Sequence, residues 1–168
     1  MANEIVNRVA KSALITFDLE QHSPEGQRLR LDLSQWLDQG FVLREKEFRA
    51  ALNRTDFSPY HDSYVALHCS TDALLPAWAM LLVTSHLLPY AKKVVVGSLA
   101  DLEIAIFSDV IAQLDLGPFR DKPVIIKGCS EKVIPETSFI ALIQHLQPVV
   151  KSLFYGEACS SVPLYKRK

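Results

Sequence analysis

Three cysteines share one local setting: His68-Cys69-Ser70, Gly128-Cys129-Ser130 and Ala158-Cys159-Ser160. A thiol followed by a hydroxyl residue and turn-forming neighbours suits two kinds of chemistry. Deprotonated, the sulfur is a soft metal ligand, and three thiolates leave one position open on a tetrahedral ion or a cluster. A single thiolate at a helix N-terminus is instead a nucleophile or persulfide carrier. Cys69 and Cys129 fall where a buried strand gives way to a helix, which places both at the carboxyl edge of a parallel sheet, where ligands gather. If their strands are neighbours, a spacing of about 4.8 Å brings the sulfurs within reach of a shared ion. Cys159 fits less directly, because a helix leaving that edge ends at the opposite one. A fold-back of residues 156–165 across the crevice, or a second subunit, would bring it in. The plain alternative is that all three are small buried apolar residues, as free cysteine commonly is.

Other side chains offer less. His68 is the nearest candidate for a fourth ligand, but strand alternation turns it away from Cys69, and a hydrogen-bonded, half-buried histidine is the expected role. Asp72 and Glu157 offer oxygen ligands or a proton-transfer group, with capping and surface roles as the ordinary reading. His86 reads as a packing residue and His145 as a solvent-facing one. Gly97-Ser98 ahead of a helix could accept an anion, though a turn explains it. Trp78 reads as core and Trp36 as a contact residue. No dinucleotide fingerprint, Walker loop, zinc-protease motif or nucleophile elbow occurs.

The elements that must position these residues alternate strand and helix from Asp62 onward. Tyr64 to Cys69 reads as a strand, and Ser70, Thr71 and Asp72 offer capping oxygens to a helix from about Ala73. Lys93 to Val96 is a second strand, followed by a helix over 99–114 with Ile104, Phe107, Ile111 and Leu114 on one face. Val124 to Lys127 is a third, and its helix opens at Pro135. An apolar stripe from Phe139 through Leu142, Ile143, Leu146, Val149 and Val150 to Leu153 reads as one helix, kinked at Pro148 and ended by Gly156. The expected fold is α/β and three-layered: a mainly parallel sheet flanked by helices, with an N-terminal β/α extension. Residues 1–60 form that extension. In it, Ala13 to Leu19 is an edge strand, Leu29 to Leu33 a strand that could pair with it, and Glu45 to Leu52 a helix burying Phe48 and Leu52. Residues 61–168 carry three strand-helix units and a tail, all within one domain, and no repeat or low-complexity segment is expected.

An apolar content of 49% with 22% charged residues fits an ordered globular chain. A net charge of −1 gives no electrostatic footprint for nucleic acid, and only Tyr165 to Lys168 is basic. The N-terminus lacks a secretory signal pattern, so cytoplasmic residence is expected, where an odd cysteine count points to free, metal-bound or reactive thiols. The apolar run from Ala73 to Leu88 is too interrupted and short for a membrane span.

The segments 43–49, 69–79, 127–130 and 156–166, including Cys69-Ser70-Thr71-Asp72-Ala73, Lys127-Gly128-Cys129-Ser130 and Gly156-Glu157-Ala158-Cys159-Ser160, resemble a bacterial family known as domain of unknown function 2480. The resemblance covers nearly the whole chain and brings no established activity. It implies a setting near sulfur mobilisation and iron–sulfur assembly. The implied function is an accessory factor in cluster assembly or transfer, with Cys69, Cys129 and Cys159 as metal ligands, zinc or an iron–sulfur cluster as the bound group, and iron–sulfur assembly proteins as partners. Two alternatives stand beside it: a thiol-dependent enzyme or persulfide carrier using Cys69 or Cys129, and a non-catalytic homodimeric binding module using the Trp78 helix or the Phe139 stripe.

Overall fold

Short β-branched runs and proline-bounded apolar helices alternate along the chain, and in a computed structural model they fold into the expected α/β architecture. The structure describes residues 14–128, 131–157 and 160–168. Strands β1 (Ile15–Phe17), β2 (Arg28–Asp32), β3 (Tyr64–His68), β4 (Lys93–Val96), β5 (Pro123–Ile126), β6 (Ser152–Glu157) and β7 (Ser160–Lys166) are joined with helices α1 (Glu45–Arg54), α2 (Ala77–Leu87), α3 (Leu99–Ala112) and α4 (Glu136–Leu146). The strands form two sheets where one was expected, in the orders β2-β3-β4 and β1-β5-β6-β7. Periodicity marks strands but does not name their neighbours: β2 pairs with β3, in parallel, and not with β1. The chain accordingly divides into two compact units, residues 24–106 and residues 14–23 with 107–168, and α3 runs from the first into the second.

In the unit of residues 24–106 all three strands are parallel. Because alternate side chains leave opposite faces of a strand, Val65 and Leu67 of β3 pack with Phe48 and Leu52 of α1 and with Ala79, Val83 and Leu87 of α2. Tyr64 and Ala66 meet Leu102 and Ile106 of α3 on the other face. This unit is thus three layers deep. Each large side chain buried there contributes roughly 1.5–3 kcal/mol of transfer free energy.

In the other unit β1, β5 and β6 are parallel, and β7 returns antiparallel on β6. Phe17, Val124, Ile126 and Leu153 pack with Phe107 and Ile111 of α3 and Leu142 and Leu146 of α4. The stripe expected to be one helix is divided. Pro148 offers no backbone N–H and its ring obstructs the preceding turn, so α4 ends at Leu146, Val150 completes the core and Leu153 lies in β6. Gly156 lies inside β6 with φ 121°, where a Cβ would stand 2.6 Å from the Ser160 carbonyl oxygen. Proline also delays α2. The residue before a proline avoids helical backbone, and α2 starts after Pro76, not near Ala73.

The two units repeat one pattern, contrary to the reading that the chain lacks repeats. Phe48 and Phe107 are buried on α1 and α3. Asp56 and Asp115 accept the N–H groups of Ser58 and Gly117, each opening a short 3-10 turn that holds Pro59 or Pro118. Asp62 and Asp121 have φ 56° and 57° and donate their N–H to the carbonyls of Tyr90 and Val149. Val65 is in register with Val94, and Val124 with Leu153. Pro76 and Pro135 precede α2 and α4, His86-Leu87 and His145-Leu146 end them, and Gly97 and Gly156 share a positive φ. Every one of these pairs is separated by the same number of residues. The first strands match as well: β2 ends at Asp32 and β1 ends one residue before Asp18, and each aspartate caps a 3-10 turn beginning with a buried leucine.

Candidate functional site

In each unit the parallel strands lead, at their carboxyl edge, toward a cysteine in the sequence. In the unit with β5 and β6, parallel pairing matches Ile126 with Tyr155, so both strands deliver the chain to the same edge. β5 leads through Lys127 and Gly128 to Cys129, and β6 ends at Glu157, two residues before Cys159. Cys129, Ser130, Ala158 and Cys159 lie outside the described residues. Gly128 sits against the Tyr155 ring, where a Cβ would come within 3.0 Å of Cζ. A side chain there would require the ring to move by a few tenths of an ångström.

Charged groups converge on this edge. The Lys127 ammonium donates to Asp18 Oδ2 at 2.8 Å, and Asp18 Oδ1 accepts the Glu20 N–H at 3.1 Å. Burial works against the Asp18 charge, but hydrogen bonds from Lys127 and from the Glu20 backbone outweigh it and hold the carboxyl below its ordinary value. Lys127 is pushed up, chiefly by its hydrogen bond to Asp18, with Glu157 and Glu20 adding attraction. The Glu20 carboxylate accepts the backbone N–H groups of Glu131 and Lys132 at 2.9 and 3.2 Å, fixing the loop beyond Cys129. Glu157 Oε1 is buried with no hydrogen-bond partner among the described residues. Three carboxylates around one ammonium favour a cation and work against ionising a neighbouring thiol.

At the equivalent edge of the other unit, Asp32 Oδ1 accepts the N–H groups of Ser34 and Ser70, both at 3.0 Å. The Ser34 and Ser70 hydroxyls lie 3.1 Å apart. Burial opposes the Asp32 charge, but the hydroxyl and N–H of Ser70 and of Ser34 prevail, and its carboxyl lies far below the usual range. Asp32 thus holds the loop after Cys69 as Glu20 holds the loop after Cys129. Cys69 is half-buried, and its Sγ lies 3.3 Å from Thr71 Oγ1, which donates to the Gly40 carbonyl at 2.6 Å. A threonine hydroxyl has one proton. With that proton committed to Gly40, the Cys69 thiol is the donor and Thr71 the acceptor. No helix starts at Cys69, since α2 begins eight positions on, at Ala77.

His68 ends β3 half-buried and in register with Asp32. His86 stacks on Phe57, ring centroids 5.5 Å apart, which is the packing role expected of it. His145 is half-buried on α4. Asp72 and Glu45 border an open cleft of about 580 Å³ floored by Phe41, Leu43, Leu74 and Trp78. The anion position ahead of α3 is filled by the chain itself: Asp101 Oδ2 accepts the Ser98 N–H and hydroxyl, both at 2.7 Å.

No three histidine, cysteine, aspartate or glutamate side chains come together as a metal would need among the described residues. Sequence reasoning missed Asp18, Asp32, Glu20, Lys127 and Tyr155. A usable signal existed in the repeated Asp-Leu pair at Asp18-Leu19 and Asp32-Leu33, each a strand end followed by a capping residue. No described helix is long and apolar enough to cross a membrane. The sequence model of one family, described as "Protein of unknown function (DUF2480)", matches residues 3–167. No curated protein and no solved structure matches the chain.

Proposed function

The chain belongs to the family described as protein of unknown function (DUF2480), whose description assigns no activity; from the setting that the resemblance implies, together with the placement of its cysteines, we propose that it is an accessory factor in iron–sulfur cluster assembly or transfer. In this reading it holds a metal ion or cluster through cysteine thiolates, with iron–sulfur assembly proteins as partners. The observation that carries the reading is the parallel pairing of β5 with β6, which sends the strands leading to Cys129 and Cys159 out of one sheet edge. Cys129 and Cys159 are the founding ligands and Cys69 the third. Cys69 must give up its hydrogen bond to Thr71 to take part. The surplus of carboxylate at the edge, Asp18, Glu20 and Glu157 against Lys127, supports a bound cation and disfavours the alternative of a thiolate nucleophile.

Anaerobic purification with iron, sulfide and zinc analysis and a visible spectrum tests this, repeated on Cys69→Ser, Cys129→Ser and Cys159→Ser. Stoichiometric metal lost in both Cys129→Ser and Cys159→Ser is the expected result, and its loss in Cys69→Ser makes the site three-thiolate. Metal-free protein that takes up neither zinc nor iron and sulfide overturns the reading. One thiol alkylating much faster than the others would then identify a nucleophile.

A further inference from the structure

The repeat has one unequal feature, and it lies on the third strand of each sheet. The outer edge of β6 is covered by antiparallel β7, with Leu153, Phe154 and Tyr155 in register with Tyr165, Pro163 and Val162. The equivalent strand, β4, has the positions Val94, Val95 and Val96 where β6 has these three residues, yet β4 pairs only with β3 among the described residues. After Gly97, the counterpart of Gly156, the chain enters α3 and does not turn back as a hairpin. Val96 is 58% exposed, and Leu81 of α2, which packs beside β4, and Leu88 just after that helix are 69% and 65% exposed. An edge strand of β-branched residues with open backbone groups is a template for another strand.

We propose that β4 pairs antiparallel with β4 of a second copy of this chain, giving a homodimer with a continuous six-stranded sheet. The covered edge of β6 shows the geometry that this position accepts: an antiparallel neighbour with apolar side chains across from all three residues. β4 meets that requirement by itself. A two-fold axis perpendicular to the sheet at Val95 sets Val95 against the partner's Val95 and Val94 against the partner's Val96. Lys93 then faces the partner's Gly97, so the two ammonium groups are not set directly across from each other. Opposed valines on one face are favourable cross-strand pairs, and a two-fold axis closes the assembly at two copies. This dimer is independent of the metal reading and uses neither the Trp78 helix face nor the Phe139 stripe as its centre.

Sedimentation equilibrium of the full chain, across a hundredfold range of concentration, tests the proposal together with Val96→Lys, Val96→Thr and Leu74→Lys. The dissociation constant is expected to rise at least tenfold in Val96→Lys, which places a charge on the edge, and to change less than threefold in Val96→Thr, which stays β-branched. Leu74→Lys removes an even more exposed apolar residue away from the edge and is expected to leave dimerisation unchanged. Circular dichroism confirms that each variant is folded. Monomer throughout the range overturns the proposal. So does a dimer indifferent to Val96→Lys, which would have another interface, and so does a monomer whose β4 amides gain exchange protection only with an unrelated extended peptide.

Discussion

Asp32 and Asp18 each anchor the carboxyl end of a strand by accepting hydrogen bonds, Asp32 from Ser34 and Ser70 and Asp18 from Glu20 and Lys127. Asp32→Ala removes the acceptor for Ser34 and Ser70 at once, so a loss of about 1–2 kcal/mol is expected in urea unfolding at pH 7. The folded Asp32 carboxyl lies below its ordinary value of 3.8. Its contribution is therefore complete above that value and fades as pH falls through the lower, folded one. Wild type and Asp32→Ala should thus converge in stability as the pH drops below about 4. For the Asp18–Lys127 pair the window has two ends. The depressed Asp18 carboxyl loses its contribution on acidification, and the raised Lys127 ammonium loses its own only as pH climbs through a value above 10.5. Asp18→Asn removes the acid-end contribution and also the main cause of the raised Lys127, so it is expected to flatten both ends, read from thermal melts between pH 2 and pH 7 and again above pH 10.

At the scale of elements, the β6–β7 hairpin depends on Gly156. Its φ of 121° is unfavourable for a residue with a side chain, and the Ser160 carbonyl would stand 2.6 Å from any Cβ. Gly156→Ala should cost roughly 1–3 kcal/mol, visible as a lowered urea midpoint, and exchange of the β7 amides should quicken first. Most elements were legible in the sequence. The β-branched runs at Lys93 to Val96 and Val124 to Ile126, and the Phe48 and Leu52 spacing of α1, carry their own period. The Phe139 to Leu153 stripe misled because Val149, Val150 and Leu153 continue a helical spacing while serving a turn and a strand. A proline tells where a helix stops but not which element the chain enters next. The pairing of β2 with β3 was illegible for a different reason: register depends on tertiary neighbours, and Leu29 to Leu33 alternates equally well for either partner.

At the scale of the whole molecule, the repeat predicts equal responses at equivalent positions. Phe48 and Phe107 are both fully buried, each packed against one sheet of the pair. Phe48→Leu and Phe107→Leu should therefore lower stability by similar amounts, each about 1–2 kcal/mol, measured by chemical denaturation. A cost at one position more than twice that at the other would argue that the two cores are not built alike. The repeat was hard to see in the sequence because most matched residues differ and the identical ones are scattered singly: backbone-determining residues such as Asp56, Pro59 and Asp62 against Asp115, Pro118 and Asp121, and packing residues such as Phe48 and Leu87 against Phe107 and Leu146. The candidate site was legible only in part. Cys129 and Cys159 drew attention by type, but nothing local announces that Lys127 bonds Asp18 or that Glu20 grips Glu131, since those partners are far apart in sequence.

The two copies are interleaved, and this sets an order of events while the chain is being made. Residues 24–106 complete their own sheet from one continuous stretch, whereas β1 waits for β5, which lies roughly a hundred residues downstream. At ribosomal speeds of about 5–20 residues per second, that delay is on the order of 5–20 seconds. During it Ile15 to Phe17 emerge as an unpaired apolar strand beside a sheet that is already closing. The register of β2 with β3 must therefore exclude β1 as a competitor, and a nascent chain stalled shortly after Ile106 is the species in which a chaperone would find β1 exposed.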